Sequence, residues 1–467
     1  MVVHIDNHYQ SKIYSTSSVV SGHVEVNVHQ DLDFNLLQIL LLGTSRTRID
    51  AVSIPQATSH TFLKLTMPIP RECYPEPRRF EAGNTYTIPF HFVIPDQLTI
   101  NACSHRVSNE TLKEQHVRLP PTLGTWEKDD FAPLMSRVTY QIRARAYNDD
   151  AERQSVKVME GAQEIKVLPV VPEDAPLVVT KHDKLYVVSK TKTLRKSIIS
   201  AKSGKVTVSA KQPAPVMLDC DGRSAMLSSG ELDLVFEPTS NESQPPKVTG
   251  VSSKISAVTY YSAGGVNQYP NLKDWSRSYG SEGRGSYTGS VSLPTASMEK
   301  VSWKHRISEQ ARRDSGYCSE MLSDSDQAAA ASSGQGRRAR PNKGAPYYYG
   351  AKIQLPIELP VAKRQFVPTF HSCITSRVYV LSMTVTLSTS AGSSTNITLS
   401  VPLQVGVAPQ QGSRVDATGL PTFEAAMQDA ELETDPFLQP RAMSVPNIDF
   451  QSELPGYAEL SGTRIAV

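Results

Sequence analysis

Cys103-Ser104-His105 and, far along the chain, His371-Ser372-Cys373 each place a thiol two positions from an imidazole, the pair of groups from which a cysteine nucleophile and its base are assembled. In an extended segment, positions i and i+2 share one face, so the spacing asks for nothing beyond two neighbours on a strand. Packing or loop roles are therefore expected, not catalysis. The five cysteines, Cys73, Cys103, Cys220, Cys318 and Cys373, form an odd set without a C-x-x-C pair, so free thiols are expected, with neither a disulfide framework nor a metal site. Gly204-Lys205 is followed by Val206, which breaks a phosphate-binding loop, and neither H-E-x-x-H nor G-x-S-x-G occurs. The expectation is a non-enzyme without catalytic, cofactor-binding or metal residues.

The end of the chain carries a different kind of chemistry. Leu454-Pro455-Gly456-Tyr457 is an L-P-x-Y form of the motif that WW domains recognise: a short polyproline turn seats a Pro ring and a Tyr ring in two aromatic grooves at low ordering cost. Thirteen positions before Tyr457, Ser444 has Arg441 three residues before it and Pro446 two after it. That spacing suits a basophilic kinase and then a 14-3-3 protein, whose basic pocket would hold the new phosphate. Further candidate phosphosites lie in a Ser-rich stretch. Ser315 follows Arg312-Arg313-Asp314, the run from Asp314 to Ser319 resembles a D-S-G-x-x-S degron, and Ser323 and Ser325 alternate with aspartates.

The elements that must position these groups are strands. Tyr379, Leu381, Met383, Val385 and Leu387 form a period-two apolar ladder, as do Ile397, Leu399, Val401, Leu403, Val405 and Val407, with a Ser/Gly turn between the two. Earlier ladders run through Val20, Val24, Val26 and Val28, through Tyr86, Ile88, Phe90, Phe92 and Ile94, and through Val138, Tyr140, Ile142, Ala144 and Ala146. In the last of these, Arg143 and Arg145 are expected to face water. The fold class is all-β.

Residues 1–170 have the size of one sandwich, and the prolines of 168–176 read as a connector. A second sandwich is expected in two parts, 177–261 and 347–408. Between Ser262 and Gly344, 26 of 83 residues are Ser or Gly, too few apolar groups to offset the entropy of ordering, so 262–346 is expected to be a disordered regulatory insertion. Residues 409–467 are expected to be a disordered tail. A net charge of +2 over 467 residues gives no electrostatic case for nucleic acid, and mean hydropathy of −0.31 suits soluble domains. Nothing resembles a secretory leader or a membrane span, so a cytosolic chain is expected.

Read in order, several of these segments resemble the arrestin family, specifically the fungal α-arrestin-like trafficking adaptors. Ile13-Tyr14 with the run Val19 to Val26, and the stretch from Phe34 to Gly43, are similar to the family's early strands. Phe90-His91-Phe92-Val93-Ile94-Pro95 resembles its F-x-F-x-(I/L)-P signature, and Ser136 to Ala144 the strand that follows. Val367 to Leu381 and Val401 to Val405 are similar to late strands of the second domain. The resemblance implies two tandem arrestin-type, immunoglobulin-like β-sandwiches. It also implies an adaptor linking cytosolic tails of membrane transporters or receptors to a WW-domain HECT-type ubiquitin ligase, and so promoting cargo ubiquitylation and endocytosis. Such a protein would be cytoplasmic, with peripheral association at the plasma membrane or endosomes. The long insertion departs from the family, and no polar core of charged residues is identifiable, so receptor-phosphate sensing is not implied. The alternative is a sorting scaffold of the retromer type that works without a ligase.

Overall fold

The Thr375–Ser388 strand shows how sequence becomes layer. Tyr379, Leu381, Met383, Val385 and Leu387 are all buried on one face, and the strand pairs antiparallel with Ser394–Leu403 on one side and Lys247–Ser262 on the other. Its first half is buried on both faces, because Val378 and Val380 pack with Val258, Tyr260 and Tyr186 under the segment that follows the connector. The computed structural model describes residues 1–50, 55–149, 155–195, 202–273, 275, 283–294, 301–307, 347–389 and 394–409. Within them the chain forms two β-sandwiches in tandem, with a single short α-helix.

In the first sandwich, one sheet joins Val2–Ile5, Val19–Asn27 and Thr85–Val93. The other runs in the order Ile13–Tyr14, Ser155–Val167, Ser136–Asp149, Leu36–Ile49, Gln56–Met67. Val20, Val24, Val26, Ile88, Phe90 and Phe92 of the first sheet meet Ile39, Leu41, Tyr140, Ile142 and Ala144 of the second in one core. Gly22 is required where it stands: a Cβ there would come 2.0 Å from the His4 carbonyl oxygen of the adjacent strand. Arg143 and Arg145 do face away from the core, but they lie largely covered over the neighbouring strand, each 3.0 Å from the Glu160 carboxylate.

In the second sandwich, one sheet has the order Ser189–Arg195, Lys202–Ala210, Ser228–Pro238, Tyr347–Ile357, Lys304–Ile307. The other has Arg284–Ser292, Lys247–Ser262, Thr375–Ser388, Phe370–His371, with Ser394–Leu403 also on Thr375–Ser388. Two of these strands correct the expectation of an unstructured insertion over 262–346. Arg284–Ser292 pairs antiparallel with Lys247–Ser262, from Ser262↔Arg284 to Lys254↔Ser292, and Lys304–Ile307 pairs antiparallel with Tyr347–Ile357. The ladder that a ready sheet edge offers supplies hydrogen bonds that composition does not register. Sparse anchors supply the apolar contact, among them Leu293, Val301 and Trp303, all packed on the second core. Residues 308–346 and 410–467 lie outside the described residues.

The two cores interlock. Phe131 and Leu168, from the first part of the chain, belong to the second core, while Val367 and Phe370 belong to the first. The last strand among the described residues, Val405–Val407, runs parallel to Val216–Leu218 and bridges back to Val171 in the connector. Leu399 is fully buried in the centre of the second core. Leu399→Ala is expected to cost about 2–5 kcal/mol, read as a lower denaturant midpoint with unchanged slope, whereas Thr398→Ala on the exposed face shifts it little.

Candidate functional site at the seam between the sandwiches

The seam is where chemistry-bearing side chains from distant parts of the sequence converge. At its centre lies Arg377, the largest fully buried side chain of the described residues. It enters from the start of the Thr375–Ser388 strand, and its Nε donates to Thr259 Oγ1 at 3.0 Å on the adjacent strand. Its Nη1 donates across the seam to the Asp130 carbonyl at 2.7 Å, while Nη2 has no hydrogen-bond partner. The Asp130 carboxylate, itself buried, is used within its own loop, where it accepts from the Gly124 and Ala132 amides at 2.6 and 3.0 Å. Asp129 accepts from the Phe131 amide at 2.8 Å and pairs with Arg364 of the second sandwich. Phe131 is thereby held at a φ of 58°, a left-handed conformation uncommon for a bulky residue.

Hydroxyl groups continue the contact. Thr375 Oγ1 lies 3.0 Å from Ser136 Oγ and 3.4 Å from Ser45 Oγ, and Thr47 Oγ1 donates to the Ser262 carbonyl at 2.7 Å. Thr58 Oγ1 donates to the Ala263 carbonyl at 2.8 Å. The connector is pinned by Asp174, which pairs with Arg118 of the first sandwich at 3.0 Å and accepts from Gln404 Nε2 of the second at 3.2 Å.

Beside this network, three elements bring thiols and imidazoles together. The Glu110–His116 helix is capped by Asn109, whose Oδ1 accepts from the Thr111 amide at 2.9 Å, and it ends on His116, which is almost fully buried. The loop before the helix supplies Cys103 and His105. Cys103 Sγ lies 3.6 Å from His116 Nδ1 and 3.7 Å from His105 Nδ1. The second sandwich contributes Cys373, from the turn between Phe370–His371 and Thr375–Ser388. One ligand atom from each of Cys103, His105, His116 and Cys373 lies within 4.8 Å of every other.

Burial, with the neighbouring His105, His371 and His60, pushes the His116 imidazole down to about 3, and burial alone lowers His371 to about 4. The Cys373 thiol is pushed far up by burial and by Cys103. The His116 and His371 imidazoles and the Cys373 thiol are therefore neutral near pH 7. A neutral His116 keeps a lone pair for a cation, and the protonated Cys373 thiol is a packing group until a metal displaces its proton.

Cys103, His105 and Cys373 come together, although their separate local spacings gave no sign of it. His371 turns away, with its ring edge-on to Tyr269 at 5.0 Å and 87°. His116, Asp130 and Arg377 were not singled out by sequence reasoning, and no local signal could have found them, because their partners come from remote segments. The other expected site residues, Leu454, Pro455 and Tyr457, Arg441, Ser444 and Pro446, and Ser315, Ser319, Ser323 and Ser325, lie outside the described residues. Among the described residues no helix is long and apolar enough to cross a membrane. No protein-family model matches the chain, nor does any curated protein.

Arg377→Ala is expected to destabilise the protein by about 3 kcal/mol or more, since it leaves the Asp130 carbonyl and Thr259 without their donor in a closed site. Comparing denaturant midpoints of Arg377→Ala and the stem-filling Arg377→Met tests whether the lost donors or the lost volume matters. A pH effect follows from His371. Unfolded, it takes up a proton near pH 6.5; folded, it stays neutral down to about 4. Its contribution is complete above pH 6.5 and is lost as pH falls towards 4, by on the order of 3 kcal/mol. Denaturant midpoints measured across that window should fall, and should fall less in a folded His371→Gln variant.

Proposed function

We propose that the chain is an arrestin-like adaptor: the double sandwich engages the cytosolic segment of a membrane transporter or receptor, and Leu454, Pro455 and Tyr457 recruit a WW-domain HECT-type ubiquitin ligase. The reading is carried by the L-P-x-Y motif standing C-terminal to a pair of β-sandwiches in tandem. The described chain contributes no chemistry in this scheme, and the ligase supplies the catalysis. What the adaptor contributes is proximity. Whatever path the intervening residues take, Leu454 lies no farther than roughly 160 Å from Val407, so a bound ligase is confined near the cargo at a raised effective concentration.

The setting in this scheme is the cytoplasm, at the face of the plasma membrane or endosomes. Phosphorylation supplies the control. A 14-3-3 protein seated on phosphorylated Ser444, with Arg441 and Pro446 flanking, would occupy chain next to Tyr457 and compete with a WW domain. Ser315, Ser319, Ser323 and Ser325 offer further phosphate positions between the strands of the second sandwich.

A peptide spanning residues 444–461 should bind WW domains of HECT-type ligases saturably, at micromolar affinity, and Pro455→Ala and Tyr457→Ala should each abolish binding in a calorimetric titration. Absence of binding by the wild-type peptide would remove the ligase from the scheme and favour a scaffold that works without it.

A further inference from the structure

The thiol and imidazole cluster has the composition, geometry and placement of a metal centre. Cys103, His105 and His116 belong to the first sandwich and Cys373 to the second, and their ligand atoms all lie within 4.8 Å of one another. Zn–S bonds of about 2.3 Å and Zn–N bonds of about 2.0–2.1 Å set the S···N edge of a tetrahedron at about 3.6 Å. The two edges from Cys103 Sγ to His116 Nδ1 and His105 Nδ1 measure 3.6 and 3.7 Å. Every separation in the set stays within 4.8 Å, so no pair lies more than about 1.5 Å beyond an ideal edge, within reach of small side-chain rotations.

The surroundings fit as well. His105 Nε2 lies 3.1 Å from the Val266 carbonyl and donates to it, which fixes the tautomer that leaves the Nδ1 lone pair facing the thiols. That ring is held closely from the second sandwich, because a Cβ on Gly265 would come 2.5 Å from it. Ile374, Val107 and Val117 wrap the two sulfurs in apolar contact and limit water. The cluster contains no carboxylate. Two thiolates and two neutral imidazoles balance a divalent ion, so the loaded site is electrically neutral, as a buried centre requires. The soft donor set selects against magnesium and calcium, and tetrahedral S2N2 suits zinc.

We propose that Cys103, His105, His116 and Cys373 form a structural zinc site that clasps the two sandwiches together. Loading replaces the two S–H bonds with two Zn–S bonds and releases both protons to solvent, with no change of oxidation state. All four positions are taken by protein, so the role is structural and the site has no vacancy for a substrate.

The full chain, produced without a polyhistidine tag in zinc-supplemented medium and purified under reducing conditions, should carry about one zinc per molecule by elemental mass spectrometry. A Cys103→Ser/Cys373→Ser variant should carry under about a tenth of that, while Cys73→Ser/Cys220→Ser keeps the full amount. Should the first variant fail to fold, the wild-type chain still decides. Stripped and refilled with cobalt(II), it should show the intense visible bands of a tetrahedral ion together with thiolate charge-transfer absorption. Wild-type protein holding less than about a tenth of a zinc per chain overturns the proposal. So does zinc retained by a folded double variant, or a Cys103–Cys373 disulfide found by peptide mass in freshly reduced and exchanged protein.

Discussion

A guanidinium that is wholly buried must find acceptors, and the terms on which Arg377 finds them organise the junction of this molecule. Removing such a group from water costs several kcal/mol unless its donors are met. One acceptor, Thr259, is on the neighbouring strand, and the other, the Asp130 carbonyl, is in the opposite sandwich. The Thr375–Ser388 strand therefore reaches its full depth only with the 124–132 loop docked against it. That loop in turn is folded by its own carboxylates, which bind the Gly124, Phe131 and Ala132 amides and hold Phe131 where its ring can enter the second core. Local turn chemistry, a buried cation and the joining of two cores are one coupled arrangement.

That coupling explains which parts of the structure were legible in the sequence. Strand ladders were, because a period of two maps directly onto burial: Ile397, Leu399 and Val401 alternate in sequence and are all fully buried. The Pro-rich connector was legible too, since proline limits the backbone irrespective of what lies around it. The Arg284–Ser292 strand was not, because its side chains are mostly at least partly exposed and its order comes from a neighbour's free backbone groups. Asp130 and Arg377 were illegible for a stronger reason: their meaning exists only once segments 247 residues apart are joined. The same holds for the Cys373 turn and the helix that ends on His116.

The seam also differs from the interiors it separates. Each core is a layer of aliphatic and aromatic side chains whose attraction is non-directional and tolerant of small shifts. Between them lie hydroxyls, carbonyls, a guanidinium and a sulfur–imidazole corner, whose interactions are directional and weaken steeply with misalignment. Apolar contact makes the sandwiches adhere, while the directional groups select one mutual orientation among the many that adhesion alone would allow. The sheets of the two sandwiches are thus held in a defined relation to one another.

The exchange of side chains between the cores has a consequence for the order in which the protein can be made. Val367 and Phe370 fill part of the first core, yet they are translated roughly 200 residues after the last strand of that sandwich, Ser155–Val167. At about 5–20 residues per second, the ribosome leaves the first sandwich with an open apolar flank for on the order of 10–40 s. The nascent chain must cross that interval partly folded, so its yield in a cell depends on what shields the flank until the second half emerges.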